Sequence, residues 1–259
     1  AVLFPFAYAV QERLDLEHYM RPLYDDPQGV LTQWARQFMR TDGPTGTREL
    51  LLQMNGFIRE HFDYAARDEE GTQPPLQTLA LGSGSCRDFA LLMMEAVRSL
   101  GMAARFVSGY LYDPALDAAA GGVDPQATVG AGSTHAWLQV YLPGAGWVAF
   151  DPTNNLRDGT PQLIRVGVAR DPAQAAPVSG SWFGPPEAYL GLSASVQVRG
   201  PGFAGRILRA GFCGPVCGPA RPSLTCGPGR LGRLGRLAGR VGHRWGTPFS
   251  AGTAREGAG

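Results

Sequence analysis

Lysine is absent from this 259-residue chain; all 23 basic residues are arginine. Cysteine is almost absent from the first 212 residues, where Cys86 stands alone. A structural disulfide is therefore excluded across that stretch, and with it the small disulfide-stapled secreted scaffolds. A lone thiol instead suits a reducing, cytoplasmic setting. No run of about 18 apolar residues occurs, so no membrane-spanning helix is expected. The opening AVLFPFAYAV lacks both an initiator Met and a basic region ahead of its apolar residues, which makes it a poor secretion signal. It reads as a cut edge inside a longer protein.

Charge of one sign is also lacking overall, but the net +1 is an average of two unlike parts. Residues 1–198 carry 13 Arg against 21 Asp and Glu, a balance of −8, whereas residues 199–259 carry 10 Arg against one Glu, a balance of +9. The first part, in a chain that is 44% apolar, is long enough for one domain with a substantial core. The second holds 16 Gly and 6 Pro in 61 residues and shows no lasting period of 2 or 3.6. Such composition buries too little apolar surface to offset the entropy of ordering. The expected division is a folded domain over 1–198 and a disordered or non-native tail over 199–259. Cys213, Cys217, Cys226 and His243 in the tail are separated by 3, 8 and 16 residues, which matches no zinc motif. The tail's arginines offer only nonspecific attraction to anions, because aromatic residues are sparse among them and follow no interleaved pattern; no specific nucleic-acid or membrane partner is expected.

Along the first part, Asp26-Pro27 opens a helix in which Val30, Trp34 and Phe38 recur, ended by Gly43-Pro44. A second helix runs from Thr47 to His61 with Leu50, Leu51, Met54, Phe57 and Ile58 on one face. FDYAA is a short strand candidate, and 67–78 reads as a polar loop. A third helix begins at Cys86 and is stopped by Gly101. The period then changes to 2. Strands are expected at 104–112, 134–142, 147–151, 163–169 and 194–198, with a Pro143–Gly146 hairpin turn between the second and third. Helices followed by mostly antiparallel strands make an α+β fold. Residues 113–133 form a long loop without periodicity, leading into His135.

Three residues on this framework are able to do chemistry. Cys86 sits at a helix N-terminus, where the dipole and unpaired N–H groups favour thiolate and can hold an oxyanion. By position alone it also reads as a small buried hydrophobe. His135 begins one hairpin strand and Asp151 ends the other, so both lie at the same open end and can hydrogen-bond there. Each alone is ordinary, a structural strand histidine and a turn-forming aspartate. Together with a nearby thiolate they make a nucleophile, a base and an orienting acid.

The stretches GSGSCRDFA, ARFVSGYLYDP, STHAWLQVYLPGAGWVAFDPTN and LIRVGVARDPAQAAPVSGSW together resemble the bacterial transglutaminase-like proteins of the papain-like cysteine hydrolase and acyltransferase superfamily. The resemblance spans about residues 1–198. It implies a papain-like core, with Cys86 of C-R-D-F as nucleophile, His135 of H-A-W as base and Asp151 of D-P-T as orienting acid. It also implies an N-terminal β domain upstream of Ala1 and an end soon after Val198. The implied activity is acyl transfer on a peptide or protein substrate, with hydrolysis favoured over glutamine transamidation; the rival class is an inactive peptide-binding module. Arg87 and Asp88 are expected to support the nucleophile, Gln77 to supply an oxyanion donor, and Tyr110 and Trp137 to line the cleft or pack in the core. No cofactor is implied, and no acidic loop has the ligand spacing calcium needs.

Overall fold

The computed structural model describes residues 1–67, 69, 71–112, 134–157, 162–176, 192–200 and 203–212. Elements follow in the order β1 (Leu3–Phe4), α1 (Val10–Met20), α2 (Val30–Arg36), β2 (Thr45–Gly46), α3 (Thr47–His61), β3 (Asp63–Tyr64), α4 (Pro75–Leu81), β4 (Ser83–Gly84) and α5 (Cys86–Ser99). There follow β5 (Ala104–Leu111), β6 (Thr134–Leu142), β7 (Gly146–Asp151), β8 (Leu156–Arg157), β9 (Leu163–Ala169), a 3-10 turn at Pro172–Ala175, β10 (Leu192–Gly200) and β11 (Phe203–Phe212). Helices first and antiparallel strands after them give the α+β architecture that the sequence implies.

A five-stranded antiparallel sheet in the order β8-β7-β6-β5-β9 carries the second half. Alternation on β6 decides its two faces. Ala136, Leu138, Val140 and Leu142 join the main core with Phe89, Leu92 and Met93 of α5, while Trp137 packs on the other face with Val107, Ala149 and Leu163. Burial of each large apolar side chain is worth about 1.5–3 kcal/mol.

Helix α5 is the axis of the fold. Twelve of its 14 residues are buried, so the helix is enclosed all round rather than amphipathic. Its buried charges are internally satisfied. Glu95 and Arg98 pair at 2.8 Å with both side chains fully buried. Glu95 also accepts from the N–H groups of Leu23 (2.7 Å) and Tyr24 (3.2 Å). Arg98 donates to the carbonyls of Tyr19 (2.9 Å), Ala104 (2.7 Å) and Arg170 (2.9 Å). One ion pair thus ties the N-terminal segment, β5 and the start of the 3-10 turn to the central helix.

Several expected elements shift. The helix expected from Asp26 begins at Val30, because Asp26 reaches forward to cap it, accepting from Thr32 N and Thr32 Oγ1 at 2.9 Å, with Gly29 in the left-handed region between. The stretch 67–78 is only partly loop: Pro75 starts α4, as proline can at a first helical position. Helix α1 carries no strong apolar stripe and buries Leu16 alone, which explains its absence from a periodicity reading. The boundary expected at Val198 falls inside an antiparallel hairpin, in which β10 and β11 pair from Leu192↔Phe212 to Gly200↔Phe203. The tail beyond Phe212, including Cys213, Cys217, Cys226 and His243, lies outside the described residues, as does the loop 113–133. Among the described residues no helix is long and apolar enough to cross a membrane, and no group of three or more His, Cys, Asp or Glu is placed to hold a metal.

Candidate active site

The GSGSC stretch has a specific local job. Ser83 and Gly84 form β4, pairing in parallel with Asp63 and Tyr64 of β3. A Cβ at Gly84 would stand 2.9 Å from Asp88 Cβ and 3.2 Å from Gln73 Nε2, so only glycine lets the chain pass that close to the first turn of α5. Ser85 then caps the helix, and Cys86 is its first residue.

Asp88 organises this helix mouth. Its carboxylate is fully buried and accepts from Gln73 N (2.7 Å), Ser85 N and Ser85 Oγ (2.8 Å each) and Arg67 Nη1 (2.9 Å). It thereby fastens the loop before α4 to the helix that carries Cys86. Arg87 is held differently. Its guanidinium donates to the Pro172 carbonyl at 3.0 Å and lies 5.1 Å from the centre of the Phe106 ring. Burial lowers its pKa, against the pull of Cys86 and Asp88.

The opposite wall comes from the β6–β7 hairpin. Register runs from Leu142↔Gly146 to Leu138↔Phe150. Continued by one pair, it sets Asp151 across from Trp137, one diagonal from His135 on the same face, within reach of its ring. The His135 Nε2–H donates to Asp151 Oδ2 at 2.8 Å, with both side chains fully buried. Two further donors fix that carboxylate, Thr153 N at 2.9 Å and Asn154 Nδ2 at 3.1 Å.

Burial opposes a charged imidazole at His135, but the charge and hydrogen bond of Asp151, together with Cys86, win and push its pKa up to about 10. Nδ1 of the same ring is buried and makes no well-formed hydrogen bond. Cys86 acts on this ring, and with Nε2 committed to Asp151, Nδ1 is the nitrogen left to meet the thiol. Cys86 itself is free and 8% exposed. The structure therefore brings Cys86, His135 and Asp151 together from three elements, α5, β6 and β7, although His135 and Asp151 follow Cys86 by 135 − 86 = 49 and 151 − 86 = 65 residues.

These residues fall inside a family match. Residues 32–152 match the transglutaminase-like superfamily. That segment belongs to it. Two uncharacterized mycobacterial proteins are relatives of the transglutaminase-like segment. The one from Mycobacterium leprae is 36% identical over 137 residues, covering 53% of this chain and 46% of the relative. One from Mycobacterium tuberculosis is 34% identical over 137 residues, covering 51% and 41%. This chain thus spans less than half the length of either. Among solved structures, a candidate cysteine protease from Cytophaga hutchinsonii aligns at 22% identity over 62% of this chain and 49% of that chain, with a TM-score of 0.48.

The supporting residues fare unevenly. Trp137 is 1% exposed, its ring 6.1 Å from that of His135 at a 27° interplanar angle, so it backs the imidazole from within the core of the transglutaminase-like domain. Gly109 faces His135 across the β5–β6 ladder; a Cβ there would stand 2.7 Å from the Trp137 ring and 2.1 Å from the Ile164 carbonyl oxygen. Tyr110 is half-buried opposite Thr134, at the same end of the sheet. Gln77 is exposed on α4. Gln73, just before α4, is buried instead, and its Nε2 is taken by Thr78 Oγ1 (3.1 Å) and the Ser83 carbonyl (2.9 Å). Sequence reasoning passed over Tyr64. It is 42% exposed, and its ring meets the Phe89 ring edge-on at 6.5 Å. Its signal is non-local, the pairing of a two-residue strand with the glycine two positions before Cys86.

Proposed function

We propose that this chain is a cysteine-dependent acyl-transfer enzyme that hydrolyses peptide or amide bonds through a thioester. The supporting observation is the buried relay of Asp151, His135 and Cys86 at the N-terminus of α5. A thiol, an imidazole and an orienting carboxylate in that order are the parts such chemistry requires.

Cys86 passes its proton to Nδ1 of His135. Its sulfur forms a bond to the substrate carbonyl carbon, and the carbonyl electron pair moves to oxygen. Backbone N–H groups at the mouth of α5 face that developing charge. Collapse of the adduct breaks the C–N bond while His135 returns the proton to the leaving amine, which leaves a thioester. Water then attacks, giving its proton to His135, and departure of the Cys86 sulfur releases the acid. Asp151 keeps the ring oriented and stabilises its cationic form. Hydrolysis needs only water at the second step, whereas cross-linking needs a place for an incoming amine. The substrate is a peptide or protein, and a reducing, cytoplasmic compartment suits the free thiol.

Activity-based labelling of the wild type and Cys86→Ala against a mixed peptide library, with and without a primary amine, tests this. Cys86-dependent acylation resolved by water supports it. Resolution by the amine alone makes the chain a transamidase. Peptide binding without acylation makes it a binding module and overturns the enzyme reading.

A further inference from the structure

The Asp151 carboxylate is only as well aimed as the turn that carries it. Strand β7 ends at Asp151, and the chain turns through Pro152–Asn155 to pair back through Leu156 and Arg157 of β8. Inside that turn Thr153 N and Asn154 Nδ2 donate to the carboxylate that holds His135. Asn155 closes the turn at φ 53 and is the only non-glycine with a positive φ among the described residues. Asparagine tolerates this left-handed geometry better than most residues, but such a backbone persists only where its surroundings hold it.

The hold comes from a distant helix. Asn55 lies on the buried side of α3 with Leu51, Met54 and Ile58 and is itself fully buried. Its Nδ2 donates to Asn155 Oδ1 at 2.9 Å and to the Leu156 carbonyl at 3.3 Å, across 100 and 101 residues of chain. Leu156 is the residue whose backbone pairs with Asp151. The Leu156 carbonyl can only accept, so the NH2 end of Asn55 must face it. The other end gains nothing: Asn55 Oδ1 is buried without a hydrogen-bond partner. An unpaired buried oxygen counts against the fold, and an apolar side chain beside Leu51, Met54 and Ile58 would avoid it. What Asn55 contributes is the tie to the turn.

Resting on the acyl-transfer reading above, we propose that Asn55 is a positioning residue for the acid of the relay: it locks the Asn155–Leu156 end of the turn and so keeps Asp151 Oδ2 within hydrogen-bond reach of His135 Nε2. Its own hydrogen bonds go to the turn and not to Cys86, His135 or Asp151. Without the tie, Asn155 relaxes towards negative φ, and Thr153 and Asn154 carry the carboxylate off the ring as the turn re-forms. A small misplacement of a catalytic group costs rate steeply.

Asn55→Ala removes the donor of the tie and Asn155→Ala its side-chain acceptor. Each variant, and the two combined, are compared with the wild type by ring-proton NMR titration of His135 in the folded protein and by the acylation burst with p-nitrophenyl acetate. Each single change is expected to lower the His135 pKa by about 1–3 units, as its ion pair with Asp151 loosens, and to slow acylation roughly 10- to 100-fold. The double variant is expected to be no worse than the poorer single one, because both changes cut the same tie. An unmoved His135 titration in folded Asn55→Ala overturns the proposal even if thermal unfolding shows lost stability, since the role is then structural alone. Additive losses in the double variant overturn it as well. Asn155 is exposed, so Asn155→Ala carries the same test, read by the same titration, if Asn55→Ala does not fold. Failure of the reading beneath it looks different: the wild type gives no Cys86-dependent burst, while the His135 titration still reports on the tie.

Discussion

Replacing Asp151 with Asn removes a full negative charge from a completely buried position and leaves the shape of the side chain intact. Against its own burial, His135 is carried from the ordinary 6.5 to about 10 by Asp151 first and Cys86 second, and that difference corresponds to roughly 5 kcal/mol of preference for the protonated ring. In the variant, burial is opposed only by Cys86, and the ring is expected to titrate at or below 6.5. The amide also has one oxygen where the carboxylate has two. It can accept from His135 Nε2 and Asn154 Nδ2 or from Thr153 N, but not serve both sides, so a buried donor is left facing an NH2 group at a cost of about 1–3 kcal/mol. The folded pKa of His135 lies above its unfolded value, so its contribution to stability is complete below about pH 6.5 and is lost as pH rises towards about 10. Wild-type stability should therefore decline across that window, while the variant is less stable at about pH 6 and nearly flat above it. Ring-proton NMR titration of His135 and urea unfolding at several pH values measure both effects. A wild-type ring that titrates near 6.5, or a variant ring still charged at about pH 9, refutes the reasoning.

Three further substitutions probe the frame around the site. Asp88→Ala removes the shared acceptor of Arg67 Nη1, Gln73 N, Ser85 N and Ser85 Oγ and should cost about 1–3 kcal/mol in urea unfolding, Arg67 keeping Glu69 as a partner; a cost under about 0.5 kcal/mol would show that the clamp on the helix mouth is dispensable. Arg98→Met leaves Glu95 buried without its cation and three carbonyls without a donor, at a cost of about 3–5 kcal/mol, and Arg98→Met with Glu95→Leu should recover part of it. Gly109→Ala drives a methyl group into the Ile164 carbonyl and the Trp137 ring, so thermal unfolding should show a loss at the upper end of the 1–3 kcal/mol typical of about one added methyl in a tight core, with displaced Trp137 fluorescence.

Much of this architecture was legible because it rests on local periodicity. Alternation on 134–142 and 163–169 gives the strands β6 and β9 at their observed bounds, and the apolar face of Thr47–His61 gives α3. The placement of His135 beside Asp151 followed from the hairpin alone. What stayed hidden depends on distant partners. Glu95 and Arg98 look like a solvent-facing pair three residues apart, and only the surrounding carbonyls and N–H groups make them a buried anchor. Gln77 suggested itself as an oxyanion donor because it precedes the nucleophile loop, but it lies exposed on α4; the pairing of Asp63 and Tyr64 with Ser83 and Gly84 is a two-residue parallel bridge that no short-range pattern reveals. Asp26 marked a helix start correctly in kind and four residues early, because it caps from a distance across Gly29.

The decisive test of a thiol activated by a carboxylate-braced imidazole is the rate at which iodoacetamide labels Cys86 at about pH 6–7 in the wild type and in His135→Ala. Labelling faster than that of a free thiol in the wild type, lost in His135→Ala, is the expected result. Equal rates in the two proteins, both matching an ordinary thiol, would contradict it.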